Sequence, residues 1–239
     1  MEKFTVLDAV AAALPTPDID TDMIIRIERC VRTPRAEMGR WAFEMARYRA
    51  DGSEDPGFPL NRTPFRGAQI LVAAQNVGCG SSREMAVWAI AGMGFRCVIA
   101  PSFGEIFYGN CFQNGVLAIR LPGPVVESLL KALGAASAPV RIRVDLPAQT
   151  VAGPDSAVHR FDIDPLHFAM MLVLNLAIGM VTPPIGPVLF VISTVGHLRL
   201  ERLARAVVPL LLAELAVLAL VLAFPQLSLV VPRLFGFTH

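Results

Sequence analysis

From Leu166 to Leu198 the chain carries no Asp, Glu, Lys or Arg, and no other feature restricts its fold as strongly. As one straight helix these 33 residues would run about 50 Å, against roughly 30 Å of bilayer hydrocarbon. Pro183 and Pro184 interrupt the run, with Gly179, Gly186 and Pro187 close by. The stretch 166–196 therefore reads as a broken or re-entrant membrane element whose freed backbone groups need cover from protein or water. "HLRLERLARA" (197–206) follows, with three arginines at helical spacing, the pattern of an interfacial segment. "VVPLLLAELAVLALVLAF" (207–224) has one charge, Glu214, in 18 residues and predicts a transmembrane helix. An acid inside a span marks either a functional site or the place of a partner helix. The competing reading, an apolar core helix of a soluble domain, leaves 74 residues (166–239) with little polar surface to meet water.

The rest of the chain has the opposite character. Of the 41 charged residues (21 basic plus 20 acidic), 35 lie in 1–165 and 6 in 166–239. The front part is +17 and −18, net −1; the tail is +4 and −2, net +2. Neither has the basic excess of a nucleic-acid binder, so nucleic acid is excluded as a partner. Cys30, Cys79, Cys97 and Cys111 all fall in the front part and form no CxxC pair, which argues against a zinc ribbon or a self-contained iron–sulfur site. Free thiols in a reduced, cytoplasmic domain is the simpler reading. The N-terminus is no secretory signal, because Glu2 spoils its basic start and Asp8 interrupts its apolar run.

Within 1–165, "PDIDTDMII" (17–25) predicts an Asp-rich turn followed by an apolar run, and 49–66 is a loop dense in Pro, Gly and charge. Continuous apolar runs at 68–74, 96–100 and 116–121 predict buried strands, separated by helices over 81–94 and within 102–115. Strand–helix–strand–helix–strand at this spacing implies parallel pairing with right-handed crossovers. The segments 140–146, 149–153 and 159–164 alternate with period two, as antiparallel strands do. The expected class is α/β, with an added antiparallel section.

The most specific local sequence is "NVGCGSSREMAVWAI" (76–90). Ser81-Ser82-Arg83-Glu84 fits a capping box, with Ser81 capping the helix and Glu84 reaching back. Gly78 and Gly80 suit a tight strand-to-helix turn. That account leaves paired hydroxyls followed by Arg83 unexplained. A helix N-terminus favours anions and disfavours a cation in its first turn. An arginine there makes sense if its planar fork grips an anionic ligand. A serine beside it could move a proton if the site stabilised its alkoxide. The residues alone give an anion site and no particular reaction.

The front part resembles the small subunit of 3-isopropylmalate dehydratase, a two-subunit relative of aconitase. The likeness rests on "DIDTDMII" (18–25), "NVGCGSSRE" (76–84), "GFRCVIAPSFGEIFYGNCFQNG" (94–115) and "RFDID" (160–164), in this order and spacing. It implies a swivelling β/β/α barrel-like domain over 1–165, and interconversion of 2- and 3-isopropylmalate by dehydration and rehydration in leucine biosynthesis. It also implies a partner large subunit that holds a [4Fe–4S] cluster, with no cofactor bound by this chain. Carried over by motif, Ser81 would remove the substrate proton, Ser82 and Arg83 would hold a carboxylate of a small dicarboxylate substrate, and Thr21 and Asp22 would line the same cleft. For Asp20 an Asx-turn is an equal reading, and Cys79 reads as a small buried thiol rather than a ligand. The sequence departs from the family at Met85, where His is usual, and at Arg26, where Pro is usual. Residues 26–50, where the family adjusts specificity, are only loosely similar, which keeps other malate-type acids open.

The tail departs further. Over about 166–236 it resembles the C-terminal end of the large membrane subunit of a TRAP dicarboxylate transporter, most specifically in "NLAIGMVTPPIG" (175–186). "IDP" (163–165) suits both parents, so the chain reads as a dehydratase small subunit joined to a membrane-type tail. The alternatives are a transporter fragment carrying a passenger domain, and an inactive fusion.

Overall fold

The computed structural model describes residues 4–81, 83–162, 178, 187–196 and 199–224, and the chain divides into two compact units, Met1–Asp162 and Ile163–His239.

The first unit is built on a seven-stranded mixed sheet in the order β4-β3-β2-β1-β5-β6-β7. Its strands are β1 (Val6–Leu14), β2 (Ile70–Ala73), β3 (Cys97–Ala100), β4 (Leu117–Arg120), β5 (Arg141–Asp145), β6 (Thr150–Ala152) and β7 (Val158–Arg160). β1 is the seam. Its first half, Val6–Val10, pairs antiparallel with Asp145–Arg141 of β5. Its second half, Ala11–Leu14, pairs parallel with Ile70–Ala73 of β2. Burial follows the pairing: β1 alternates exposed and buried at its start and is buried throughout from Ala11. β2 and β3 are buried at every position, as strands covered on both faces must be. β5 alternates, with one face solvated.

The helices of this unit, numbered in chain order, are α1 (Thr21–Ile24), α2 (Ile27–Arg32), α3 (Met38–Trp41), α4 (Glu44–Arg47), α5 (Glu84–Gly92), α6 (Glu105–Gln113) and α7 (Gly123–Ala135). α5 and α6 are the crossovers of β2–β3 and β3–β4, as the spacing predicts. α7 buries Val126, Leu129 and Leu133, one stripe at helical spacing. α3 lies directly on α5. A Cβ built on Gly39 would stand 2.1 Å from the carbonyl carbon of Gly92, so two glycines let the backbones touch. β2, β3 and β4 are one to three residues shorter than the predicted apolar runs, and β1 and α7 are additional elements.

Two described helices belong to the second unit: α8 (Pro187–Val195) and α9 (Leu200–Ala223). From Leu200 onward, the expected interfacial segment and the span to Ala223 share one continuous helix, α9, with Pro209 inside it. Pro209 lacks a backbone N–H, yet the flanking apolar residues carry the helix through. Of the broken element expected over 166–196, residues 166–177 and 179–186 lie outside the described residues.

Candidate active site

The site forms where the parallel strands end, the edge at which open α/β sheets bind ligands. Beyond β1 and β2 the two loops remain paired. The Gly78 N–H donates to the Ile19 carbonyl at 2.7 Å, and the Thr21 N–H to the Cys79 carbonyl at 3.1 Å. The loop after β3 joins them: Val77 N–H donates to the Ser102 carbonyl at 3.1 Å and Gly104 N–H to the Val77 carbonyl at 2.9 Å. Side chains add further ties. Asn76 Nδ2 donates to Asp18 Oδ1 at 2.8 Å, and the Asn76 N–H donates to Ser102 Oγ at 2.9 Å. Asp18, Asn76, Gly78 and Gly80 all have positive φ. Such a concentration of left-handed residues is characteristic of loops shaped for a ligand.

Gly78 fixes the turn. Its φ is +72°, and a Cβ there would fall 2.0 Å from Cγ of the buried Phe107. Glycine is therefore required twice, by the backbone angle and by the ring.

α5 begins at Glu84, with Arg83 in the extended N-cap position and no side-chain capping bond. The capping box expected from Ser81 and Glu84 does not form. Glu84 Oε1 instead accepts from Asn114 Nδ2 at 2.9 Å, and Ser81 sits in the turn ahead of the helix. Ser81 is exposed, and its carbonyl accepts from Thr21 Oγ1 at 2.9 Å. Thr21 is only 1% exposed. Its hydroxyl thus supports the Ser81 backbone from behind and does not face the cleft. Ser82 lies outside the described residues.

Arg83 and Asp22, which the family resemblance assigns to one cleft, form an ion pair that the sequence does not signal. Arg83 Nη1 donates to Asp22 Oδ1 in an ion pair; the arginine side chain is 14% exposed and the carboxylate 56%. The bond from Arg83 is the chief cause that holds the Asp22 carboxyl below its ordinary value, and the Arg83 guanidinium is raised in return. One N–H of Arg83, on Nη1, is engaged by Asp22, while a guanidinium offers five N–H donors. Asp20 acts as the N-cap of α1, with Oδ1 accepting from the Met23 N–H at 2.7 Å, which is its structural reading. Cys79 is half-buried, and burial, then Asp20 and Asp18, push its thiol up.

One participant was not visible in the sequence. The Asn114 side chain makes four bonds: Oδ1 accepts from Trp88 Nε1 and Arg35 Nη2, both at 2.8 Å, and Nδ2 donates to Glu84 Oε1 and the Asn110 carbonyl, both at 2.9 Å. It pins the first turn of α5 and hence the residue that follows Arg83. Nothing local to "FQNG" signals this, because its partners lie up to 79 residues away.

The Aconitase C-terminal domain model matches residues 1–124, and the LeuD_N model matches 127–165. The 3-isopropylmalate dehydratase small subunit of Gluconacetobacter diazotrophicus is 51% identical over 174 residues, covering 72% of this chain and 83% of the relative. That of Gluconobacter oxydans is 48% identical, covering 72% and 82%. The chain belongs to the 3-isopropylmalate dehydratase small-subunit family.

A crystal structure of 3-isopropylmalate dehydratase (LeuD) from Methanocaldococcus jannaschii shares the fold of this family member, with a TM-score of 0.52 at 24% identity over 71% of this chain and 89% of that one. The tail has a separate likeness. The model of the DctM component of the tripartite ATP-independent periplasmic transporter matches residues 150–227, overlapping the LeuD_N match over 150–165.

Proposed function

We propose that this member of the dehydratase small-subunit family works with a large subunit as a hydro-lyase, interconverting 2-isopropylmalate and 3-isopropylmalate. The observation that carries the reading is a 51% identical relative of that name, together with the positions of Ser81, whose carbonyl accepts from Thr21, and of Arg83, at the start of a helix whose first residue, Glu84, is bound by Asn114.

Within this chain the roles divide by chemistry. Asp22 orients the Arg83 guanidinium, and the free N–H donors grip a substrate carboxylate as a fork. Ser82 is assigned to the same carboxylate by motif. The exposed Ser81 hydroxyl removes and returns the proton at the carbon next to that carboxylate, an alkoxide role that positive charge nearby favours. The iron–sulfur cluster is assigned to the large subunit, where its iron would polarise the leaving hydroxyl as a Lewis acid. A cleft of about 640 Å³ opens over residues 40–52, lined in part by Trp41, Met45 and Arg49, most of it within 26–50, the region read as only loosely similar to the family. It is the part of the chain in which selection among malate-type acids would reside.

The tail 166–239 is proposed as a membrane-type segment joined to this subunit. Support comes from α9, where an 18-residue stretch within Glu201–Val221 has mean hydropathy 2.2 and 6% of its residues buried, and from the transporter match.

Complementation tests the enzymatic reading. A leucine auxotroph that lacks its small subunit but retains its large subunit should regain growth with this chain and not with Ser81→Ala. No growth with the full chain, while residues 1–165 and the host's own subunit both restore it, would assign the chain to an inactive fusion.

A further inference from the structure

We propose that α9 docks the chain on bilayers that carry anionic headgroups, with Arg199, Arg202 and Arg205 at the headgroup level and residues 206–224 in the hydrocarbon. This rests on the membrane reading of the tail and extends it to the lipid class.

The first observation is where the apolar side chains point. Val208, Leu210, Leu212, Leu215, Val217 and Leu220 are all between 42% and 66% exposed. At about 100° per residue, Leu212 and Leu215 fall near Val208, Leu220 stands about 120° away, and Leu210 and Val217 lie on the far side. A partner helix or a groove would need one stripe. The half-buried Leu203, Val207, Leu211, Glu214 and Leu218 and the buried Val221 form one narrow stripe, while the exposed apolar residues spread over more than half of the circumference, a face wider than one partner helix covers and one that hydrocarbon fits.

The second observation is length against charge. From Arg205 to Phe224 the chain rises about 28 Å as a helix, close to the roughly 30 Å of a hydrocarbon core. The interval 206–224 holds one charged residue, Glu214. The three arginines fall within seven residues at the other end, against the single acid Glu201, and all three are exposed. The boundary between charged and apolar helix is therefore sharp and correctly spaced.

The third observation is electrostatic. Arg199 at the N-cap and Arg202 in the first turn oppose the helix macrodipole, so neither gains anything from the helix itself. At a bilayer surface the planar forks of the arginines meet phosphate oxygens, and each basic residue adds roughly a fivefold preference for an anionic surface. Glu214 is consistent with a low-dielectric site that is still incomplete: its Oε2 is buried with no hydrogen-bond partner among the described residues.

Cell-free synthesis of the full chain with preformed vesicles, followed by flotation, tests the proposal. Vesicles of phosphatidylcholine alone are compared with vesicles containing phosphatidylglycerol. The expected result is a strong, salt-sensitive preference for phosphatidylglycerol, reduced on the order of a hundredfold in R199Q/R202Q/R205Q and retained in the triple lysine variant. Equal, carbonate-resistant binding to both vesicles would overturn this inference and leave the membrane reading intact. Failure to float with either, as a dispersed chain or a defined oligomer, would overturn both.

Discussion

Gly78→Ala tests the local physics of the site most sharply. Alanine at φ +72° enters the left-handed region, which costs about 1–2 kcal/mol for a residue with a Cβ. The new methyl would also stand 2.0 Å from Phe107 Cγ, and Phe107 is 3% exposed, so the ring must shift within a packed core at about 1–3 kcal/mol. Together the loss should be about 2–5 kcal/mol. Trp41 and Trp88, the two tryptophans of the chain, both lie in the first unit. Denaturant unfolding followed by their fluorescence, with the full chain in mild detergent, therefore reports that unit. A double-mutant cycle with Phe107→Leu separates the two effects. The ring contribution should largely vanish in the double variant, leaving the backbone cost. A loss below about 1 kcal/mol in Gly78→Ala, or no coupling to Phe107, would refute the argument.

Other consequences follow from the same geometry. Asn114→Ala should destabilise the first unit by about 1–3 kcal/mol, because it strands the Trp88 N–H and Glu84, and should lower kcat more than it raises KM; an unchanged thermal midpoint would contradict the network. Arg83→Lys keeps the charge but not the fork, so kcat/KM should fall on the order of 100-fold, while stability changes by less than about 1 kcal/mol because Asp22 is exposed. The Asp22 carboxyl is depressed by Arg83. Its contribution is therefore complete above the unfolded carboxylate value, about 3.9, and is lost as pH falls through the lower folded value. Stability in Asp22→Asn and the parent should thus converge in strong acid and differ at neutral pH; a difference that grows on acidification would contradict the sign.

Much of this architecture is legible in the chain because the relevant signals are local. Continuous apolar runs over 68–74, 96–100 and 116–121 correspond to β2, β3 and β4, and period-two segments correspond to β5 to β7. β1 is the exception, although it is the centre of the sheet. Its "AVAAAL" is rich in alanine, a weak strand former, and the strand changes from half-exposed to fully buried midway, so neither period persists. Motif likeness assigns Asp22 and Arg83 to one cleft, but their ion pair is a tertiary contact between residues 61 apart that the sequence did not signal. The fate of Thr21 and Glu84 is no more local. A capping box is a local pattern, and it lost to a tertiary partner, Asn114, that no local rule supplies. Likewise, Thr21 reads as a cleft hydroxyl until the fold buries it against the Ser81 carbonyl.

The central claim is that the Ser81–Arg83 turn of this chain completes an active site with a large subunit. The most direct measurement mixes the purified full chain with a cluster-loaded large subunit from a close relative and follows conversion of 2-isopropylmalate to 3-isopropylmalate by chromatography. Turnover that needs both proteins and is abolished by Ser81→Ala is the result expected here. Absence of turnover from a complex that has assembled with its cluster intact, or turnover undiminished by Ser81→Ala, would contradict it.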